Sequence, residues 1–397
     1  MIKNIAVTGT KGKSTVLRLL ESGFRNLNYR VYGTYGIDGF FYEGEKIREG
    51  NTCKDYISWD KELYPTDAHL VEATSFILDN DYMKEFEADC VLFTSFDESE
   101  HTEIHDEEGS YLQSKKKIFK LLKKGSKAII CRDIENFDEI VNGIACEYVT
   151  YGFHPEADYV LGINMLQEKK MVFSLTYNDK TLFFKTILLG RFNALNMAAA
   201  FITCLELELP NIKFFRGLEQ FSGFPGRLER YCTPENDNKI IIDYAHTYKS
   251  LEELLNLCKE IYPEREIVTV FGCGGDKSRE KRPLMGKVAE KFSDHIIITN
   301  DNPRSEAPMD IAMEIFSNIE HQEKAHIILD RNQAIKTALS NSHGALIVIA
   351  GKGAEMDIRI NDIELFHNDT LCLQEWCLQN NLRLVSMITG EALNENF

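Results

Sequence analysis

The sequence predicts an α/β protein of two domains, each organised on a mainly parallel sheet. The prediction rests on a strand, glycine loop and helix at the start, on short apolar runs separated by helical patterns, and on a restart of that alternation after a glycine-proline break. The first strand covers Ile5 to Val7. After the glycine loop, Val16, Leu17, Leu20, Phe24 and Leu27 recur at helical spacing. The short, mainly apolar runs Ala68 to Val71, Cys90 to Thr94 and Ala128 to Cys131 are each separated by helical patterns, as buried parallel strands should be. From Tyr159 to Leu189 the pattern turns hairpin-like, with turn chemistry at Asn178-Asp179, and a helix over Ala194 to Leu207 follows. Gly223-Phe224-Pro225-Gly226 interrupts helix and strand alike and is read as the linker, giving domains 1–226 and 227–397. Beyond it, strands are expected at Ile240 to Ile242, Ile267 to Phe271, Ile296 to Thr299, Ile327 to Leu329 and Leu346 to Ala350.

Composition narrows the function classes. The 397 residues exceed the roughly 100 to 200 of one domain, and 44% hydrophobic with 27% charged residues describes a folded globular chain. A formal charge of −17, from 45 Lys+Arg against 62 Asp+Glu, argues against a broad nucleic-acid or anionic-membrane surface, so any phosphate site must be local. Ten cysteines without a C-x-x-C pair read as reduced thiols. With no leader pattern and no apolar run near the roughly 20 residues that span a bilayer, the expected location is the cytoplasm.

The main chemical signal is Thr8-Gly9-Thr10-Lys11-Gly12-Lys13-Ser14-Thr15 between strand and helix. Glycines let backbone N–H groups converge on phosphate oxygens, the helix N-terminus adds partial positive charge, Lys13 reaches the outer phosphates and Ser14 can ligate magnesium. The loop is shorter than the general phosphate-loop motif, and a plain glycine turn is the alternative. Glu72 ends a strand, and Glu100, His101 and His105 follow another, where α/β sheets bind ligands. A carboxylate and an imidazole there could hold a metal, although each alone also suits a solvated position. Lys115-Lys116-Lys117 reads first as a solvated helix face. In the second half, Asp243-Tyr244-Ala245-His246-Thr247, Phe271-Gly272-Cys273-Gly274-Gly275-Asp276-Lys277, Asp301-Asn302-Pro303-Arg304 and Gly351-Lys352-Gly353-Ala354-Glu355 all follow strands. The glycine cluster permits close backbone approach to a ligand.

In order, these motifs, with Gly190-Arg191-Phe192-Asn193, Asn196, Gly226-Arg227-Leu228-Glu229 and Lys281-Arg282-Pro283, resemble the Mur ligase family, in particular its UDP-N-acetylmuramoyl-tripeptide synthetase branch. The resemblance implies a central P-loop ATPase domain, a C-terminal Rossmann-like domain that binds an amino acid, and an ATP- and Mg2+-dependent carboxylate-amine ligase working through an acyl phosphate. It implies that Gly9, Thr10, Lys11, Gly12, Lys13, Ser14, Thr15, Asn193, Arg227 and Asp243 surround the nucleotide. Lys13, Lys115 and His246 would be catalytic, and Ser14, Glu72, His101 and Lys115 would serve metal, Lys115 in the carbamylated form the family uses. Asp301, Asn302, Arg304 and Glu355 would meet the amino acid.

The chain departs from the family pattern in three places. The phosphate loop starts at residue 8, without the branch's N-terminal uridine-binding domain, so a non-UDP, carboxylate-bearing acceptor in a specialised peptide or metabolite pathway is expected, contacted by the segment Thr34 to Cys53 with Asn51-Thr52. Thr94-Ser95 stands where the family has Thr-Asn, with Glu100-His101 for Asp-His, and Gly353-Ala354 replaces Gly-His. The alternatives are a glutamyl ligase resembling folylpolyglutamate synthetase, from which the Asp-Asn-Pro-Arg loop differs, and a nucleotide-binding partner subunit without ligase activity. The oligomeric state is left open.

Overall fold

The computed structural model describes residues 2–36, 39–48, 62–98 and 110–394. The chain divides into two compact units, residues 1–166 with 170–222, and residues 167–169 with 223–397. Gly226, at φ 76°, packs directly on Gly353 and Ala354 within the second unit.

The first unit holds an eleven-stranded sheet in the order β11-β10-β9-β8-β7-β6-β1-β5-β2-β3-β4. Its strands are β1 (Lys3–Thr8), β2 (Val31–Thr34), β3 (Phe40–Tyr42), β4 (Glu45–Arg48), β5 (Ala68–Glu72), β6 (Ala88–Phe93), β7 (Leu122–Cys131), β8 (Glu147–Gly152), β9 (Tyr159–Leu166), β10 (Met171–Tyr177) and β11 (Lys180–Thr186). The centre is parallel: β1 lies between β5 and β6, with Val7 opposite both Glu72 and Leu92. Ile5, Ala6, Val7, Leu70, Val71, Val91 and Leu92 are wholly buried, which is why these strands read as mainly apolar. Helix α1 (Lys13–Asn26) buries Val16, Leu17, Leu20 and Phe24 on one face. The hairpin β10–β11 turns through Asn178 and Asp179, both at positive φ (47° and 59°), the backbone of a two-residue primed turn.

The second unit carries a seven-stranded sheet, β16-β15-β14-β17-β13-β12-β20, and a separate hairpin β18–β19. The strands are β12 (Glu229–Thr233), β13 (Asn238–Asp243), β14 (Ile267–Phe271), β15 (His295–Ile298), β16 (Ala325–Ile327), β17 (Leu346–Ala350), β18 (Asp357–Ile360), β19 (Ile363–Phe366) and β20 (Val385–Ser386). Strands β13, β17, β14, β15 and β16 run parallel. The strand expected at Ile327 to Leu329 instead covers Ala325–Ile327, because Ile328 and Leu329 leave the ladder to bond the ends of neighbouring segments: Ile328 N donates to Ile298 O and Leu329 O accepts from Asn300 N. Both sheets combine with helices, so the mixed α/β architecture with large, parallel-dominated sheets is as expected.

Candidate active site

In the first unit the phosphate loop leaves β1 and enters α1. Gly12 caps the helix at φ 83°, a left-handed backbone where an added Cβ would stand 2.5 Å from Asn196 Oδ1. Lys13 Nζ donates to Thr10 O at 3.1 Å and lies 3.7 Å from Glu72 Oε1. Ser14 Oγ donates to Glu72 Oε2 at 2.9 Å. The strand-end carboxylate, buried to 7% exposure, is therefore gathered with the loop's lysine and hydroxyl.

Lys115 departs from its reading as part of a solvated face. It is buried at 2% exposure, on the helix Ser110–Lys116, where Nζ donates to Gly9 O at 2.8 Å and sits 4.6 Å from the Tyr111 ring centroid. Lys116 and Lys117 stay partly exposed while reaching the carbonyls of Glu139 and Asn142, and the Asp79 carboxylate. Asn193 donates through Nδ2 to Leu189 O at 2.8 Å and accepts from Asn196 Nδ2 at 3.4 Å. The expected metal ligand His101, with Glu100, His105 and Asn51-Thr52, lies outside the described residues. Among the described residues, no group of three or more His, Cys, Asp or Glu side chains could hold a metal ion.

In the second unit the four motif loops follow the ends of β13, β14, β15 and β17. Asp243 accepts from Leu228 N and Ala245 N, both at 2.8 Å, and thus fixes the turn that carries Tyr244 and His246. The Arg227 guanidinium stacks 4.4 Å from the Tyr244 ring centroid, and His246 Nδ1 lies 2.8 Å from Tyr244 O. Burial first, and next the Glu355 carboxylate, push the Tyr244 phenol above its ordinary range. Gly275 meets the carbonyl of Pro303, and Gly272 that of Thr299, so closely that neither position has room for a Cβ. The glycine cluster that suggested a ligand's approach thus admits the neighbouring Asp301–Arg304 loop. Arg282, fully buried, joins the same two loops: Nη2 donates to Glu306 Oε1 at 2.7 Å and to Gly274 O at 3.3 Å.

Arg304 and Glu355 do not pair with each other. Arg304 Nη1 donates to Gly275 O at 2.6 Å, whereas Glu355 Oε2 accepts from Lys352 Nζ at 2.6 Å and Asn302 Nδ2 at 2.9 Å. Lys352 Nζ also reaches Asn302 Oδ1 at 3.1 Å, and that oxygen takes Arg359 N at 3.0 Å. Asn302 and Glu355 are consequently engaged by protein groups. Asp301, 7% exposed, has no hydrogen bond or ion pair among the described residues.

Sequence reasoning did not find the support beneath these loops. Arg331, fully buried, forks onto Asp369 at 2.7 and 2.8 Å and donates to Asn300 O at 3.2 Å and Ala350 O at 3.0 Å, the carbonyls just before the Asp301 and Gly351 loops. Burial alone would raise the Asp369 carboxyl, but the Arg331 charge and hydrogen bonds hold it well below the usual carboxylate range. No local pattern marks Arg331, since its partners lie far away in sequence.

Comparison with known proteins agrees with this architecture. Residues 7–204 match the model of the Mur ligase middle domain, and residues 226–353 that of the Mur ligase glutamate ligase domain. A UDP-N-acetylmuramoyl-L-alanyl-D-glutamate--2,6-diaminopimelate ligase of Syntrophomonas wolfei is 32% identical over 381 residues, 93% of this chain and 76% of the relative. This chain belongs to the Mur ligase family. The Aquifex aeolicus ligase of the same name is 34% identical over 384 residues, covering 94% of this Mur ligase and 76% of that protein. A solved structure bearing that name aligns with TM-score 0.63 at 25% identity, over 96% of this chain and 79% of that one. The fold also matches Mycobacterium tuberculosis folylpolyglutamate synthase, solved with ADP and AMPPCP, at TM-score 0.71 and 16% identity over 88% of each chain. This Mur ligase is an ATP-dependent enzyme that forms an amide between an acid and an amino acid. The relatives' names specify a UDP-linked peptide and lend no support to the expected non-UDP acceptor. No helix among the described residues is long and apolar enough to cross a membrane.

Proposed function

We propose that this Mur ligase transfers the γ-phosphoryl group of ATP to a carboxylate and then couples the acyl phosphate to the amine of an amino acid, releasing phosphate. The observation that carries the reading is the convergence of Lys13 and Ser14 on the buried Glu72 at the start of α1. In the first step a carboxylate oxygen attacks phosphorus and ADP leaves. Lys13 offsets charge that grows on the transferring group, which is where such a lysine lowers a phosphoryl-transfer barrier. In the second step the neutral amine attacks the acyl carbon, the C–O bond to phosphate breaks, and the proton lost from nitrogen leaves on the released phosphate.

The oxygen donors of Ser14 and Glu72 fit Mg2+, a hard cation usually held by one or two carboxylates together with substrate phosphates. These residues would hold it, with His101 and Lys115, the latter only in the carbamylated form the family uses, completing the set; when bound, Mg2+ would neutralise charge on the phosphates. Asn193, Arg227, Asp243 and His246 would serve the nucleotide. For the amino acid, Asp301 is better placed than Glu355 to accept an ammonium group, because Lys352 already neutralises Glu355. Arg304, with one N–H on Gly275 O, keeps donors for a carboxylate fork. Asn302 and Glu355 would shape that pocket.

The first substrates to test are those in the relatives' names, UDP-N-acetylmuramoyl-L-alanyl-D-glutamate and 2,6-diaminopimelate. ADP formation is measured with this acceptor and with non-UDP carboxylates, each crossed with 2,6-diaminopimelate and the twenty common amino acids. ADP release that requires one acceptor and one amino acid together supports the reading. ATP hydrolysis indifferent to every amino acid would refute it.

A further inference from the structure

The segment after β6 holds the phosphate loop in place, and it does so through groups the loop would otherwise direct elsewhere. Ser95 O accepts from Thr10 N at 2.9 Å. Ser95 Oγ accepts from Lys11 N at 2.7 Å and donates to Lys11 O at 3.0 Å. Thr94 Oγ1 reaches Lys11 O at 2.6 Å and Thr8 O at 3.1 Å, and Asp97 N donates to Thr10 Oγ1 at 2.9 Å. Both backbone polar groups of Lys11 are thus held by hydroxyls from one neighbouring segment.

The consequence is a division of the loop's donors. Thr10 N and Lys11 N are turned onto Ser95, whereas the N–H groups of Gly12, Lys13, Ser14 and Thr15 have no protein acceptor among the described residues. Those four groups open α1, where backbone donors and the helix dipole favour an anion. Their direction depends on the peptide just before them, between Thr10 and Gly12, and that peptide is the one Ser95 grips.

We infer that Ser95 is a positioning residue for the nucleotide phosphates, acting through the Lys11 peptide, which it fixes before the nucleotide arrives. Without the Ser95 hydroxyl, Lys11 N loses its acceptor and the peptide must be ordered when nucleotide binds, at the expense of affinity. The inference uses only nucleotide binding and stands whichever amino acid or acceptor the enzyme takes.

The test is calorimetric titration of the full chain with ADP in excess Mg2+, on wild type, Ser95→Ala and Ser95→Thr, with thermal unfolding of each protein without nucleotide. Ser95→Ala is expected to weaken ADP binding about tenfold, and Ser95→Thr, which keeps the hydroxyl, to stay within about threefold of wild type. A merely structural role would lower the unfolding temperature and leave ADP affinity unchanged in the folded protein. The inference is overturned if Ser95→Ala binds ADP within about twofold of wild type. It is also overturned if both variants lose affinity alike, since packing of the segment would then be responsible and the hydroxyl would not.

Discussion

Replacing Lys352 by Met deletes a buried positive charge at the centre of the strand-end loops of the second unit. The lysine side chain is wholly buried, its ammonium is 2.6 Å from Glu355 Oε2, and the Glu355 side chain is 26% exposed. Removing one partner of a fully buried pair costs about 3–5 kcal/mol, and a hydrogen bond to a charged group contributes about 1.5–3 kcal/mol. Water reaches part of the Glu355 carboxylate, so the lower range applies and we expect a loss of about 2 kcal/mol. At about 2–4 °C per kcal/mol for a unit of this size, the unfolding transition of the second unit should fall by about 4–8 °C in differential scanning calorimetry. The decisive measurement is the double-mutant cycle with Glu355→Gln. In the Lys352→Met background Glu355 is an uncompensated acid, so neutralising it should cost at least about 1 kcal/mol less than it does in wild type. Additivity within about 0.5 kcal/mol would refute the coupling and leave Lys352 as a buried stem with an incidental contact.

Lys13→Ala should lower ATP turnover about a hundredfold or more while the unfolding temperature barely moves; unaltered phosphate release from the folded variant would remove the phosphate-loop assignment. Lys115→Met, which fills the same volume without the donor to Gly9 O, should be nearly inactive, and turnover within about threefold of wild type, roughly 0.65 kcal/mol on the activation scale, would leave it no catalytic part. Arg304→Lys keeps charge and loses the fork, so the KM for the amino acid should rise with that for ATP unchanged; equal effects on both would point to a structural defect. Hydrogen bonds from Arg282 hold the Glu306 carboxyl at about 2 against an ordinary 4.5, so its contribution to stability is complete above pH 4.5 and is lost as pH falls towards 2. Glu306→Gln should therefore flatten the stability curve in that window, and an unchanged acid slope would contradict the assignment.

The strands legible in the sequence were those whose burial on both faces leaves mainly apolar, β-branched runs, such as Ile267–Phe271 and Leu346–Ala350. The hairpin at Asn178-Asp179 was legible because two short polar residues tolerate positive φ. The motif loops could be found because α/β sheets gather ligand-binding loops at strand ends. The roles within those loops could not. Lys115 sits in a triple-lysine run whose pattern suggests solvent, and its burial depends on the carbonyl of Gly9, far away in sequence. Glycines suited to a ligand's approach can equally admit a neighbouring loop, as Gly275 admits Pro303. Arg304 and Glu355 were expected to meet the amino acid, and nothing local to either shows that Arg304 reaches Gly275 and that Glu355 is taken by Lys352.

The pairing of β20 with β12 bears on how the chain is made. Tyr231 stands opposite Ser386 and Cys232 opposite Val385, so the first strand of the second unit waits for the last. Leu384, wholly buried, enters the same core as Tyr231. Synthesis runs from the N-terminus, and the first unit's sheet is complete in sequence by Thr186, whereas the second unit stays open along one edge until residues 384–386 have emerged. During that interval the nascent chain carries β12 paired with β13 on one side only and a core that still lacks Leu384, the kind of edge that recruits other chains. Chaperone demand during translation should therefore concentrate on the second unit, and a ribosome stalled shortly before Leu384 would display a folded first unit joined to an aggregation-prone second one.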